Sequence, residues 1–366
     1  MPDYTFTVRA TDNAGAFADR SFTITVANNA VERFVALGSA GVAHSPTGLN
    51  GSWTVEPGVT GDWIEFGGGK WVVWNDAGTV MRTSLDGANW STTNPVWPVA
   101  TPDGVAATQL PGPNAHVRMK YKNGKWIAFR SCSSSSGIYL AEYESADLTS
   151  WTYTGRYLKQ AGTPASDMWC ADIDYDPVTD RWVILVPTQL GKAFCTRQGA
   201  ANWAPSTYVG TGGTTIVNGA VVCLNGLWVV NPGFTAAMGM YVSTDGVNWT
   251  QRVVNAGNTA ARLNGMTYSN GRLVFVCHQA GLVTYTFASL NGGRTWTPND
   301  SPGTGPVPGD SKLIYLQPVA SYGGVSVLCT NTAGLTVSQD GYFAVSTQVT
   351  IPAGAGSLFG VAVRNS

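Results

Sequence analysis

The sequence predicts an all-β protein, a seven-bladed β-propeller whose ring is closed by the C-terminal strand completing the first blade. Three observations point there. An octet of the form S-x-D-G-x-x-W-T recurs along the chain, as "SLDGANWS" (Ser84 to Ser91), "SADLTSWT" (Ser145 to Thr152), "STDGVNWT" (Ser243 to Thr250) and, one residue longer, "SLNGGRTWT" (Ser289 to Thr297). Each copy ends a unit of short strand-like runs separated by turn residues, the signature of a repeat architecture. Composition agrees: only 12% of the 366 residues are charged, while Gly numbers 44 and Trp 14, against the Lys- and Glu-rich surfaces of helices.

The unit reads the same way in each copy. A first strand ("DWIEF", "HVRMKY", "CADIDY", "NGAVVCL", "LNGMTY", "IYLQPV") leads through a Gly- or Asp-containing turn into a second, as in "KNGKWIAF", "TDRWVILV" and "LNGLWVVN". A loop follows, then a third strand that runs into the octet, then a fourth. Four antiparallel strands per repeat make a propeller blade. Degenerate octets included, the closing aromatic falls at Trp53, Trp90, Trp151, Trp203, Trp249, Trp296 and Phe343, which counts seven blades. The first unit starts at its second strand, "ERFVALG", and lacks an innermost one. The C-terminal "LFGVAVRNS" (Leu358 to Ser366) resembles an innermost strand, so it is expected to complete the first blade and leave no open sheet edge.

Residues 1–29 differ in kind from the propeller, 30–366. "YTFTVRATD" and "RSFTITVAN" alternate as two strands around "NAGAFAD", and two strands alone bury no core. The stretch resembles the last hairpin of a cadherin-like or immunoglobulin-like module, and is expected to be the stub of a larger protein or a linker, the alternative being a hairpin docked on the propeller.

Within the octet, Asp86, Asp147, Asp245, Asn291 and Asp340 sit where a hairpin must reverse. Their side chains can accept backbone N–H groups across the turn, and the following Gly takes the left-handed conformation. The Trp at position 90, 151, 249 or 296 returns on the next strand and can fold over the hairpin. These octets resemble the Asp box, or bacterial neuraminidase repeat, of sialidases and other propellers, over Val31 to Ser366. The resemblance implies that the octets are structural and lie on the face opposite an active site. It does not extend to sialidase chemistry: no "RIP"-type motif occurs, and arginines are few and scattered.

The strongest enzyme signal is "SDMWCADIDYDPVTDRW". Asp172 and Asp174 alternate with Ile173 on an inner strand and could act as a carboxylate pair in glycoside hydrolysis; Asp176 and Asp180 read as turn formers. The alternative is that Asp172 and Asp174 line a polar channel. His44, His116 and His278 stand near strand ends without metal-ligand spacing, and neither metal nor cofactor is expected.

The face away from the octets carries the loops between second and third strands and between blades. They are small, uncharged and rich in Asn, Gln, Ser and Gly, and contribute Asn231, Phe234, His278, Gln279 and Asn331. Two longer connections add Trp97, and Arg156, Tyr157 and Trp169. With His116, these are the candidate binding residues: amides and aromatics suit a neutral or weakly charged sugar surface.

A net charge of -1 leaves no electrostatic footprint for nucleic acid, and no run of about 20 apolar residues marks a membrane insertion. The N-terminus has no secretory-signal pattern. Six cysteines, without CxxC spacing and mostly within apolar runs, read as buried free thiols folded in a reducing compartment. Taken together, the chain resembles a bacteriophage tail-fibre or tail-tip protein. That type implies a receptor-binding module, folded in host cytoplasm and carried on the virion beside other tail proteins. Its partner would be a cell-surface polysaccharide or an outer-membrane receptor; the competing expectations are a glycan depolymerase and a purely structural propeller.

Overall fold

The computed structural model describes residues 3–11, 17–25, 32–98, 116–134, 137–160, 170–186, 194–205, 220–224, 226–231, 238–255, 261–269, 272–279, 283–289, 297–299, 319–329, 334–339 and 347–364. They form seven four-stranded antiparallel sheets and one two-stranded sheet, with no helix among the described residues. The chain divides into Met1–Val31 and Glu32–Ser366. The first unit is a hairpin in which Asp3–Thr11 pairs with Phe17–Thr25, Arg9 bridging Asp19 at 2.7 Å.

In the second unit the inner strands are Trp63–Gly67, Val117–Lys122, Asp172–Asp176, Ala220–Leu224, Ala261–Ser269 and Val319–Tyr322, for blades two to seven. Blade one takes its inner strand from the C-terminus: Leu358–Val363 pairs with Phe34–Gly38, through Phe34↔Val363 and Ala36↔Val361. Neighbouring inner strands contact one another all the way round, Val319–Tyr322 against Leu358–Val363 and that strand against Trp63–Gly67. The ring is closed, as the repeat pattern requires. Leu358, Phe359 and Val361 are buried within this closure.

Turn chemistry explains the first hairpin of blades two, three and seven. Asn123 and Gly124 both take positive φ (51° and 81°), as do Gly68 with Gly69 and Gly323 with Gly324. Two successive left-handed residues are what a two-residue hairpin between twisted strands demands. The second strands bury their aromatic between blades: Trp71, Trp126 and Trp228 are all but inaccessible, and Trp71 meets Phe66 edge-on at 4.7 Å. Replacing such a ring with Ala costs about 3–5 kcal/mol.

The octets form the turn-and-staple expected of them. Ser84 Oγ donates to Asp86 Oδ1 (2.9 Å) and accepts the Gly87 N–H (2.8 Å), while Asp86 Oδ1 accepts the N–H groups of Ala88 and Asn89. Trp90 Nε1 donates to the Gly87 carbonyl at 2.8 Å. Ser145, Asp147 and Trp151 repeat this arrangement, and Ser243 and Asp245 its hairpin part. In the third octet Leu148 occupies the glycine position at φ 71°, a conformation uncommon for a side-chain-bearing residue, and is wholly buried. In the first, Thr47 stands in for Asp, and Trp53 still donates to a glycine carbonyl, Gly48. Trp249 is buried; Asn291, Trp296 and Asp340 lie outside the described residues.

Candidate functional site at the ring centre

Period-two alternation on three adjacent inner strands brings charge to the centre of the ring. Arg118, Lys120 and Lys122 come from Val117–Lys122, Asp172 and Asp174 from Asp172–Asp176, and Glu65 from Trp63–Gly67. Three cations thus face three carboxylates. Lys120 Nζ lies 3.3 Å from Asp174 Oδ1, and the Lys122 ammonium lies over the Tyr175 ring. The Arg118 guanidinium lies 3.1 Å from the centre of the Trp63 ring and donates to the Ala171 carbonyl.

The two aspartates also reach across to blade five. Asp172 Oδ2 accepts the Val221 N–H at 2.8 Å, and Asp174 Oδ2 the Cys223 N–H at 2.6 Å. Val221 and Cys223 are alternate residues of an inner strand, whose outward N–H groups have no further strand to bond. A buried backbone donor left unpaired is costly, so these carboxylates cap the open edge of the neighbouring sheet.

Burial raises the pKa of Asp172, with Arg118 and Lys120 opposing it. It likewise raises that of Glu65. Burial alone would disfavour the Lys120 ammonium, yet Asp174, Glu65 and Asp172 outweigh it and hold that group above its ordinary value. Burial lowers Arg118 to about 10, which leaves it cationic at neutral pH. The cavity enclosed here, lined by Trp63, Glu65, Arg118, Lys120 and Asp172 among others, measures about 30 Å³. Among the described residues that is room for one or two waters and not for a sugar ring.

Beside it, Asp76 in the loop following Lys70–Trp74 accepts the Trp63 Nε1–H and lies 3.3 Å from His116 Nδ1. Burial opposes ionisation of Asp76; His116, Trp63 and Arg118 together overcome this and lower its pKa. His116 is thereby placed against the charged cluster, the one candidate binding residue among those described that is.

The remaining candidates are dispersed. Trp97 stacks on Trp151 with centroids 4.5 Å apart and planes at 17°, and its Nε1 donates to the Gly78 carbonyl. Its neighbour Val96 exchanges backbone hydrogen bonds with Thr149 and Trp151 of an octet hairpin. This Trp packs blade two against blade three. Arg156 and Tyr157 do not belong to a connecting loop: Thr152–Gln160 is the outer strand of blade three, and Gly155, at φ 84°, sits in its bulge. Arg156 pairs at 3.0 Å with Glu142, which also binds Arg197 (2.8 Å) and the Trp203 indole (2.9 Å) in a buried network joining blades three and four. Asn231, His278 and Gln279 end second strands, their side chains outside the description; Trp169, Phe234 and Asn331 lie outside the described residues. Among the described residues no group of three His, Cys, Asp or Glu is placed to hold a metal.

Solved structures similar to this chain are propellers. The dihydro-heme d1 dehydrogenase NirN, in complex with DHE, has TM-score 0.57 and 11% identity over 97% of this chain and 79% of that one. The periplasmic gluconolactonase PpgL of Pseudomonas aeruginosa has TM-score 0.53 and 10% identity over 90% and 98%. The virginiamycin B lyase of Staphylococcus aureus has 0.51 and 12% over 81% and 86%. No family model matches the chain, and no curated protein matches it. At these identities the likeness shows the β-propeller fold alone, and function rests on the site.

Proposed function

We propose that this protein is an adhesion module, an Asp-box propeller that recognises a cell-surface glycan or outer-membrane receptor through the loops opposite its octets. One observation carries the reading. Asp172 and Asp174, the two carboxylates best suited to acid-base chemistry by sequence, each hold a backbone N–H of blade five and face cations, around a cavity that is too small for a sugar among the described residues. A glycosidase needs its carboxylates aimed at a bound sugar ring. Recognition then falls to the loop face, whose uncharged Asn, Gln, Ser and Gly residues suit hydrogen bonding to a neutral ligand.

A bacteriophage tail is the setting that best unites these features. The buried thiols of Cys132, Cys170, Cys195 and Cys329, which are in no disulfide, accord with folding in a reducing cytosol before assembly into a virion with other tail proteins. The experiment is an array of bacterial surface polysaccharides probed with the labelled full chain. Saturable binding that is unaffected by Asp172→Asn supports adhesion. Binding to no polysaccharide or intact cell of a broad bacterial panel refutes it.

A further inference from the structure

The octet face carries a feature that the turn-and-staple role leaves unused. In four of the five described repeats the closing indole is buried: Trp53, Trp151, Trp203 and Trp249. Three of these have an aromatic lid, Trp97 on Trp151, Phe129 on Trp203 at 5.2 Å and Phe194 on Trp249 at 5.1 Å. Trp90 is half-buried, packs in part against the hydrophobic core, and has no aromatic ring stacked on it among the described residues. Its Nε1 is committed to Gly87, so what it offers is ring surface.

That ring borders an open concavity of about 550 Å³, lined by Lys70, Thr83, Asp86, Asn89 and Ser91 as well. The volume lies within the range of small-molecule sites, and the lining combines an aromatic with groups that hydrogen-bond in both senses. Asn89 donates through Nδ2 to Asp86, leaving its amide oxygen as an acceptor. The Thr83 and Ser91 hydroxyls hydrogen-bond to each other at 3.2 Å, and Ser91 Oγ lies 3.4 Å from the Thr83 carbonyl, which leaves acceptor lone pairs on the hydroxyl oxygens. Lys70 has no ion pair among the described residues, and its charge balances that of Asp86 across the concavity. An aromatic flanked by amide, hydroxyl and a balanced pair of charges fits the apolar face and hydroxyl rim of a neutral pyranose.

We infer that blade two carries a peripheral sugar subsite, in which a neutral hexopyranose unit stacks on Trp90 and is hydrogen-bonded by Lys70, Asn89 and Ser91. Its ligand class rests on the adhesion reading; its location does not, since it lies at an octet rather than among the loops opposite. The chain itself shows that an octet indole accepts a planar group: Trp97 stacks on Trp151 in the next blade.

The test is fluorine NMR of the full chain labelled with 5-fluorotryptophan. The resonance lost in Trp90→Phe identifies Trp90, and this change keeps an aromatic ring over the hairpin. Glucose, galactose, mannose and N-acetylglucosamine are titrated singly. At least one is expected to shift the Trp90 resonance saturably, with Kd of about 1–50 mM, and Lys70→Ala to weaken that binding about threefold or more. A Trp90 resonance fixed throughout overturns the subsite, even where the protein still binds polysaccharide by its loop face. A saturable Trp90 shift in a protein that binds no polysaccharide or cell supports the subsite and removes the adhesion reading instead.

Discussion

Asp172 is where the clamp interpretation can be set most sharply against a catalytic one. Its Oδ2 accepts the N–H of Val221, a residue 1% exposed and so shut off from bulk solvent. Asp172→Ala leaves that donor buried and unpaired, a loss of about 1–3 kcal/mol of stability. Asp172→Asn keeps an oxygen of the same reach and removes a charge that burial disfavours. Because the folded pKa is raised, the folded state binds more protons than the unfolded chain between the ordinary carboxylate value and the raised one. Stability therefore falls as pH rises through that window, and above it the wild type carries the full cost of the charge. Urea unfolding of wild type, Ala and Asn at about pH 3.5, 5 and 7 reads this directly. The Asn variant is expected to equal or exceed wild type at pH 7, with an advantage that shrinks toward pH 3.5, while Ala is less stable than Asn at every pH and less stable than wild type at pH 3.5. An Asn variant as unstable as Ala at pH 7, or an Ala variant as stable as wild type at pH 3.5, refutes the reasoning.

Three further outcomes follow from the same structure. Glu142→Ala leaves Arg197, Arg156 and the Trp203 indole without their shared carboxylate inside the protein, and should cost about 3–5 kcal/mol in urea unfolding. Asp86, Asp147 and Asp245 have lowered pKa values. For Asp147 the N–H groups of Ser150 and Thr149 are the main cause; for Asp86 and Asp245 slight burial is outweighed by the turn N–H groups. Their contribution is present above the ordinary carboxylate pKa and lost as pH falls toward the lowered values, so an Asp86→Asn, Asp147→Asn, Asp245→Asn variant should show a flatter loss of stability below about pH 4. Removing residues 357–366 takes away the inner strand of blade one, and should abolish cooperative melting by circular dichroism; an unchanged transition would contradict ring closure.

Most of the architecture was legible because the octet and the paired-glycine turns are local chemistry repeated in phase. Ring closure was legible too, since a first repeat lacking one strand and a final strand without a repeat complement each other. The central cluster was not. In "HVRMKY" and "DWIEF" the charges of Arg118, Lys120 and Glu65 read as one face of an ordinary strand, and only the ring brings them against Asp172 and Asp174. Nor does sequence spacing reveal that the partner of Asp172 is a backbone N–H 49 residues away. Arg156 and Tyr157 were misplaced because Gly155 resembles a strand breaker, whereas its positive φ serves a bulge and the strand continues beyond it. Trp97 looked like an exposed aromatic in a long loop; its stacking partner, Trp151, lies in another blade's octet.

The central claim is that this propeller binds a surface polysaccharide without cutting it. The direct measurement is to incubate the full chain with each polysaccharide it retains on the array and to follow reducing ends and polymer length over many hours. The account predicts saturable retention with both unchanged. Progressive release of reducing ends, abolished by Asp172→Asn or Asp174→Asn in a variant that still folds, would contradict it and assign these carboxylates to catalysis.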